Sequence, residues 1–197
     1  MTFSDSVQFL YSLGNETKAI KLGLEQIAGL CSALGNPEKN LRFVHVAGTN
    51  GKGSVCAMIE AGLRTARLKT GLYTSPHLHS PVERIQINGQ PVSEEVFTEA
   101  FKRVHQAAGF LPHHPTYFET VTAMALVIFN EEKVDHVVWE VGLGGRLDAT
   151  NVVHPELTVI TPVSMDHEAY LGNTLREITG EKAGILKPEV SLILGPQ

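Results

Sequence analysis

HVAGTNGKGS, residues 45–54, joins an apolar segment typical of a β-strand to a segment typical of a helix. Glycines at such a junction let backbone N–H groups turn toward an anion, and the N-terminus of the following helix adds a partial positive charge. Lys52 is placed to reach terminal phosphates. The stretch therefore predicts a site for a nucleoside triphosphate, made by Gly48, Thr49, Asn50, Gly51, Lys52, Gly53 and Ser54.

The same stretch departs from the standard pattern of phosphate-binding loops, G-x-x-x-x-G-K-[ST], at two positions. Val46 stands where the first glycine is expected, and Gly53 separates Lys52 from Ser54. The alternative interpretation is a glycine-rich turn between a strand and a helix that carries an incidental lysine.

Composition limits the class of protein. The chain has 197 residues, of which 43% are hydrophobic, and this is enough for the core of one ordinary domain. The formal charge is −5 with scattered basic residues, which argues against a nucleic-acid surface. We find no secretory signal and no run of ~20 apolar residues that could span a membrane. Because Cys31 and Cys56 both lie in helix-like apolar segments, we expect buried thiols in a cytoplasmic protein, which we take to be a monomer.

Apolar strands alternate with helices along the chain. An amphipathic helix is predicted from Ile20, Leu24, Ile27, Cys31 and Leu34, with a stop at Gly35. The pattern predicts an α/β fold of the P-loop NTPase type, with a mainly parallel sheet and helices on both faces. Strands are expected at 42–47, 70–74, 134–141, 157–163 and from 191, helices at about 54–67 and from Ser93, Thr116 and Thr174, and a hairpin turn at Asn88-Gly89.

Polar residues follow several of the predicted strands, at the edge of a parallel sheet where ligands bind. Glu140 ends an apolar run and is the best candidate to hold magnesium, because a carboxylate in such a run needs a partner. The alternative is an ordinary loop acid or a partner of Arg146. Ser75 could offer a hydroxyl to the metal, although a serine before proline is commonly a turn residue.

Two further candidate residues lie later in the chain, one after a predicted strand and one on a predicted helix. His167 is a candidate ligand only because of its position after an apolar strand, since most histidines are structural or lie on the surface. Lys182, between Glu181 and Lys187, is by spacing alone a solvated charge on its helix.

Several blocks together resemble folylpolyglutamate synthase and dihydrofolate synthase, which are members of the Mur ligase superfamily. The blocks are Gly48–Ser54, Thr74–Leu78, Glu83–Ile85, Thr116–Glu119, Trp139–Asn151, Asp166-His167 and Glu181–Ile185. The resemblance implies a sheet of the Mur ligase central-domain type. Family members continue into a C-terminal domain that completes the adenine and glutamate sites. We therefore expect residues 1–197 to be the N-terminal ATP-binding domain of a longer protein, with the C-terminal ligase domain absent from this chain.

The resemblance also implies an activity and a set of residue roles. ATP phosphorylates a carboxylate on a folate or dihydropteroate, and the amine of L-glutamate attacks the acyl phosphate. Lys52 and the Gly48–Ser54 backbone hold the phosphates, while Ser75 and Glu140 hold Mg²⁺. A second metal site combines Glu140 with His167 and a carbamylated Lys182. The pterin is received by the loop from Ser75 to Arg84, together with Thr116, Phe118 and Asp148.

Two other functions compete with this interpretation. A ligase for a cell-wall peptide precursor belongs to the same superfamily, but the Thr74–Leu78 and Glu83-Arg84 blocks speak against it. A regulatory module that binds nucleotide without catalysis would not need Glu140, His167 and Lys182. A core aromatic is likewise the alternative for Phe118, which could instead stack on the pterin ring.

Overall fold

A seven-stranded sheet forms the centre of the computed structural model, which describes residues 1–14 and 23–197. The strands occur in the spatial order β4-β3-β2-β5-β1-β6-β7. Their bounds are β1 Phe43–Ala47, β2 Thr70–Tyr73, β3 Ile85–Ile87, β4 Gln90–Pro91, β5 His136–Glu140, β6 Leu157–Ile160 and β7 Ser191–Leu194.

The sheet is mainly parallel, as the alternation of strands and helices predicts. Strands β2, β5, β1, β6 and β7 run parallel to one another, whereas β3 pairs antiparallel with β2 and forms an antiparallel hairpin with β4 at one edge. The hairpin turns at Asn88 and Gly89, which have φ angles of 51° and 72°. Positive φ at both central residues is the geometry that favours an Asn-Gly pair.

Seven helices surround the sheet in the described part of the chain. Three predicted N-caps are present, since the side chains of Ser93, Thr116 and Thr174 each accept a backbone N–H from the first turn of their helix. The bounds are α1 Phe3–Ser12, α2 Glu25–Ala33, α3 Lys52–Thr65, α4 Glu94–Ala108, α5 Tyr117–Glu131, α6 Glu168–Leu171 and α7 Leu175–Ala183.

Side chains that alternate along the strands contribute to a separate hydrophobic core on each face of the sheet. Phe43 and Trp139 point to the face covered by α1, α2, α4 and α5, where the larger core lies. Val44 and Val138 point to the opposite face, where they meet Cys56 of α3. The prediction of helices on both faces is thereby confirmed, and successive residues of one strand serve different sides of the molecule.

The boundaries of several elements differ from the prediction. Helix α3 begins at Lys52 rather than near Ser54, so Lys52 lies in its first turn. Strand β6 ends at Ile160 rather than at 163, because Pro162 has no N–H to donate to the ladder. Ile20 of the predicted first amphipathic helix lies outside the described residues, and the helix found there, α2, begins at Glu25.

The described residues contain neither a membrane-spanning helix nor a disulfide bond. None of their helices combines the length and the apolar character that a membrane crossing requires. Cys31 and Cys56 are both free and buried, as predicted.

The close approach of β2 to α5 gives a prediction on stability. A Cβ atom at Gly71 would lie 2.8 Å from Cδ1 of the buried Phe129 ring. We expect Gly71→Ala to lower the free energy of unfolding by about 1–3 kcal/mol, because the packed core must shift to admit the methyl group. Urea denaturation of the chain measures this change.

Gly62→Ala is the matched control for that substitution. A Cβ at Gly62, on α3, meets nothing within 4 Å. It should raise the free energy of unfolding by up to about 1 kcal/mol, because alanine is the better helix former. Equal stability of the two variants would show that β2 and α5 are less tightly packed than described.

Candidate functional site

The phosphate loop predicted from the sequence lies between β1 and α3. Gly48 has a φ of 145°, and a Cβ there would overlap Oγ1 of Thr161 at the end of β6. Gly51 has a φ of 81° and is the N-cap of α3. Both positions therefore require glycine, one for space and one for backbone conformation. The backbone is thus shaped to present N–H groups at the start of a 14-residue helix.

Hydrogen bonds tie this loop to the segment that follows β6. The Thr49 hydroxyl donates to the Ser164 carbonyl over 3.1 Å and accepts the Ser164 N–H over 3.0 Å. The Thr161 hydroxyl donates to the Asn50 carbonyl over 2.8 Å. Sequence reasoning missed these contacts, because their partners lie more than a hundred residues apart and nothing local marks them.

Lys52 folds back over the loop. Its Nζ donates to the Thr49 carbonyl over 3.2 Å, and its side chain is half-buried. A cation held against the loop backbone is available to an anion bound there.

Glu140 is the last residue of β5, and its carboxylate lies next to the first turn of α3. Only 4% of the residue is exposed. Its Oε2 accepts the backbone N–H of Ser75 over 3.0 Å, and both carboxylate oxygens lie 3.7 Å from the Cβ position of Gly53. Burial raises the pKa of Glu140, whereas the Ser75 N–H and the charge of Lys52 act in the opposite direction.

Arg146, the alternative partner of Glu140, is engaged elsewhere. Its guanidinium pairs with Glu181 over 2.7 Å, and this contact raises the pKa of Arg146. The charges of Lys52 and Arg84 act on the Glu140 carboxylate and lower its pKa, against the effect of its burial. A buried carboxylate in that position suits a hard cation, because such ions prefer oxygen ligands.

A cavity of about 630 Å³ opens beside Glu140 and extends along α3. Ser75 and Glu140 belong to its lining, together with Gly51, Gly53 and Ser54 of the phosphate loop. The Ser75–Pro76 peptide bond there is cis. The lining residues are Gly51, Gly53, Ser54, Ala57, Glu60, Ala61, Arg64, Leu72, Thr74, Ser75, Pro76, Gln86, Gly89 and Glu140.

Lys182 is buried, and the interpretation of it as a solvated charge is wrong. Only 4% of the residue is exposed, and its Nζ donates to the Gly48 carbonyl over 2.9 Å. The pKa of Lys182 is lowered to about 8, mainly by burial and also by the charge of Lys52, while Asp166 opposes the change. Lys182 on α7 therefore contacts the phosphate loop, although the two are far apart in sequence.

His167 remains at the surface, with 53% of its side chain exposed. It is the N-cap of α6 in a left-handed conformation, and its Nε2 lies 3.6 Å from Oδ2 of Asp166. Within residues 1–14 and 23–197 no three side chains of His, Cys, Asp or Glu come together as a metal-binding group. A second metal site with Glu140 and Lys182 stays a prediction.

Two of the predicted substrate residues, Thr116 and Phe118, lie at the start of α5. Phe118 is half-buried, packs on Tyr73 with ring centroids 6.2 Å apart, and covers Gly142, where a Cβ would lie 2.5 Å from the ring. The Thr116 hydroxyl is occupied in a capping box with Glu119. Phe118 therefore packs against the core while part of the residue stays accessible.

Two charged candidates for substrate binding are buried. Arg84 donates from Nε to Nδ1 of His77 over 2.7 Å, and its guanidinium lies over the ring of Tyr117. Asp148 is 5% exposed and accepts the backbone N–H groups of Leu143 and Thr150 over 2.9 and 3.0 Å. Burial raises the pKa of Asp148, against the effect of these hydrogen bonds.

The overlap at Gly48 predicts the effect of a single methyl group on anion binding. Gly48→Ala should weaken binding of magnesium ATP at least tenfold, because the loop must move away from Thr161 and leave a strained φ, at a cost of about 1–3 kcal/mol. Isothermal titration calorimetry of the chain measures the affinity.

Gly180→Ala serves as the control, since a Cβ at that position of α7 meets nothing within 4 Å. Its affinity should match that of the parent. If Gly48→Ala also binds as tightly as the parent, the loop at residues 48–51 does not form the anion site.

Known proteins share both the sequence and the fold. Residues 46–191 match the family model of the Mur ligase middle domain. The chain is 46% identical over 179 residues to a dihydrofolate synthase/folylpolyglutamate synthase of Bacillus subtilis, and the match covers 88% of this chain and 42% of that protein.

Two solved structures are similar over nearly the whole chain. Escherichia coli FolC in complex with DHPP and ADP has a TM-score of 0.93 and 39% identity, covering 100% of this chain and 47% of that one. A bifunctional folylpolyglutamate synthase/dihydrofolate synthase with Mn, AMPPNP and L-glutamate bound has a TM-score of 0.89 and 37% identity, covering 98% and 46%. The chain thus spans less than half the length of these relatives. Since the family match extends over most of the chain, this protein belongs to the Mur ligase family and contains its middle domain.

Proposed function

We propose that this chain is the ATP-binding part of an ATP-dependent amide ligase that joins L-glutamate to the carboxylate of a folate or dihydropteroate. The observation that carries the proposal is that the buried Glu140 lines one cavity together with Gly51, Gly53 and Ser54 of the phosphate loop, while Lys52 lies against the backbone of the same loop. The names of the relatives, dihydrofolate synthase and folylpolyglutamate synthase, support the choice of substrates.

The chemistry explains why such a site is needed. A carboxylate at neutral pH is a poor electrophile. Transfer of the γ-phosphoryl group of ATP to the carboxylate oxygen gives an acyl phosphate and ADP. The amine of L-glutamate then attacks the acyl carbon, loses a proton and expels phosphate, which leaves the amide. Negative charge accumulates on the phosphoryl oxygens during the transfer, and Lys52 together with magnesium would neutralise it.

The metal ligands of the proposal are those that the resemblance to folylpolyglutamate synthase and dihydrofolate synthase implies. Ser75 and Glu140 would hold one magnesium ion, and Glu140, His167 and a carbamylated Lys182 a second. Support comes from the burial of Glu140 and from the relative solved with Mn and AMPPNP. Bound magnesium would place positive charge beside the phosphates. The Lys52 ammonium would add a second positive charge there.

The carboxylate substrate would enter from the side of Phe118. We propose that its pterin lies near Thr116, Phe118 and Asp148, beside the loop from Ser75 to Arg84, with the ring stacked on Phe118. The relative solved with DHPP and ADP supports a folate-like ligand in this family. A C-terminal domain would complete the adenine and glutamate sites, in a cytoplasmic monomer.

An assay of ligation tests the proposal directly. The whole protein that contains this sequence should release ADP and form a glutamyl product from ATP, L-glutamate and either dihydropteroate or tetrahydrofolate. The 197-residue chain alone should bind nucleotide without forming product. Ligation of cell-wall peptide precursors instead, or ATP binding by the whole protein without turnover of either pterin substrate, would refute the proposal.

Lys52→Ala in the whole protein is the matched test of the site. Loss of one well-placed electrostatic stabiliser should lower kcat by about 10²-fold or more and leave the fold intact. Lys69→Ala is the control, because Lys69 pairs with Glu132 at the surface and should turn over like the parent. Turnover of Lys52→Ala within a few-fold of the parent would remove Lys52 from the mechanism.

Carbamylation of Lys182 is a separate prediction. The neutral amine attacks the carbon of CO₂, an N–C bond forms, one C=O bond becomes a C–O⁻ bond, and Nζ releases a proton to solvent. Burial of Lys182 lowers its pKa to about 8, which increases the reactive neutral fraction. Whole protein kept in ¹³C-bicarbonate should give a carbamate ¹³C signal that is missing in Lys182→Ala.

Chemical rescue separates a metal-binding role from a purely structural one. Lys182→Ala should lose activity and regain part of it with added acetate, because a short carboxylate replaces the carbamate oxygens. Active protein with an unmodified Lys182 ammonium, and no rescue by acetate, would contradict the prediction.

A further inference from the structure

His45 is a buried polar side chain that the proposed chemistry does not use. It lies on β1, three residues before Gly48, and points to the same face of the sheet as Phe43. Its Nε2 lies 3.0 Å from the hydroxyl oxygen of Thr150. A histidine without exposure in the middle of a central strand carries a desolvation cost that its contacts must offset.

Thr150 links His45 to the candidate pterin residue Asp148. Thr150 lies in the 3-10 helix Ala149–Val152, of which Asp148 is the N-cap. The Thr150 hydroxyl and its backbone N–H both contact Oδ1 of Asp148. The Thr150 carbonyl accepts Nε1–H of Trp139 over 3.0 Å. Thr150 is therefore held at both ends of its backbone, and its hydroxyl bridges the histidine and the carboxylate.

The direction of these hydrogen bonds follows from the donors around Asp148. The backbone N–H groups of Leu143 and Thr150 already donate to its two oxygens, so the carboxyl acts as an acceptor. The single proton of the Thr150 hydroxyl then points to Asp148. The hydroxyl oxygen keeps a lone pair for His45, which must donate from Nε2–H.

The other side of the ring is consistent with this tautomer. His45 Nδ1 and the hydroxyl of Thr158 are both buried and have no hydrogen-bond partner among residues 1–14 and 23–197. The two residues are directly opposite each other on β1 and β6. An unprotonated Nδ1 is the atom that a neighbouring hydroxyl could approach. Burial, with a smaller contribution from Lys187, lowers the pKa of His45 to about 3, so the ring is neutral at pH 7.

We propose that His45 is a positioning residue for the substrate-binding carboxylate of Asp148, acting as the Nε2–H tautomer through the Thr150 hydroxyl. The inference rests on the proposed function, in which Asp148 contacts the pterin. The hydrogen bond from His45 to Thr150 connects β1, which leads into the phosphate loop, with the segment that contains Asp148. A carboxylate with its hydrogen-bond donors fixed in this way presents one geometry to the ligand.

Two substitutions separate the two ring nitrogens. His45→Gln keeps a donor near the position of Nε2, whereas His45→Asn keeps a polar atom only near Nδ1. We expect His45→Asn to weaken dihydropteroate binding by about 5- to 10-fold, because the Thr150 hydroxyl loses its donor, while ATP affinity stays within twofold. His45→Gln should bind both ligands within about twofold of the parent. Calorimetry with dihydropteroate and with ATP measures this on the chain.

Thr150 supplies the second half of the test. Thr150→Val should weaken dihydropteroate binding like His45→Asn, and the double variant should be no weaker than either alone, because both remove the same connection. Thr150→Ser should restore affinity. Dihydropteroate binding by His45→Asn equal to that of the parent, or an equal loss of ATP and dihydropteroate affinity, overturns the proposal.

A spectroscopic readout distinguishes failure of this inference from failure of the proposed function. ¹⁵N NMR of the His-labelled chain should show His45 protonated at Nε2, and the Asp148 carboxyl ¹³C shift should change in His45→Asn but not in His45→Gln. If the parent binds no dihydropteroate while these signals behave as expected, the assignment of the substrate fails and the connection stands. An Nδ1–H tautomer, or an unchanged Asp148 shift in His45→Asn, overturns the connection.

Discussion

The contact between Gly48 and Thr161 is the constraint on which the site depends. It permits the end of β1 to lie directly against the end of β6, so the phosphate loop is supported by a strand far away in sequence. Thr49 and Asn50 then find their partners in the segment after β6, and Lys182 reaches the Gly48 carbonyl. Because Gly48 has no side chain, the end of β1, the segment after β6 and Lys182 of α7 can meet at the anion site.

Much of the fold could be predicted from the sequence because its signals are local. The alternation of apolar strands and helices, the Asn-Gly turn and the Ser/Thr caps each depend on a few neighbouring residues. The predicted boundaries of the helices and strands agree less well with the structure. Strand β6 stops early because Pro162 breaks the ladder, and α3 starts early because Gly51 can adopt a positive φ as its cap.

Only some of the residues at the candidate site could be predicted from the sequence. Glu140 could be found, since a carboxylate at the end of an apolar strand is unusual in itself. The burial of Lys182 could not, because its neighbours Glu181 and Lys187 indicate an exposed helix face, and only the tertiary structure brings Gly48 over it. His45 likewise looks like an ordinary strand residue until Thr150 is seen beside it.

The outer edge of the sheet has a consequence for handling the chain in solution. Strand β7 pairs with β6 on one side only within the described residues, and Leu192, Ile193 and Leu194 are 42%, 55% and 57% exposed. Backbone N–H and C=O groups along such an edge form a template for another strand, and apolar side chains on both faces make pairing favourable. Copies of the 197-residue chain would therefore tend to add to one another edge to edge at high concentration, unless another segment or partner covers β7.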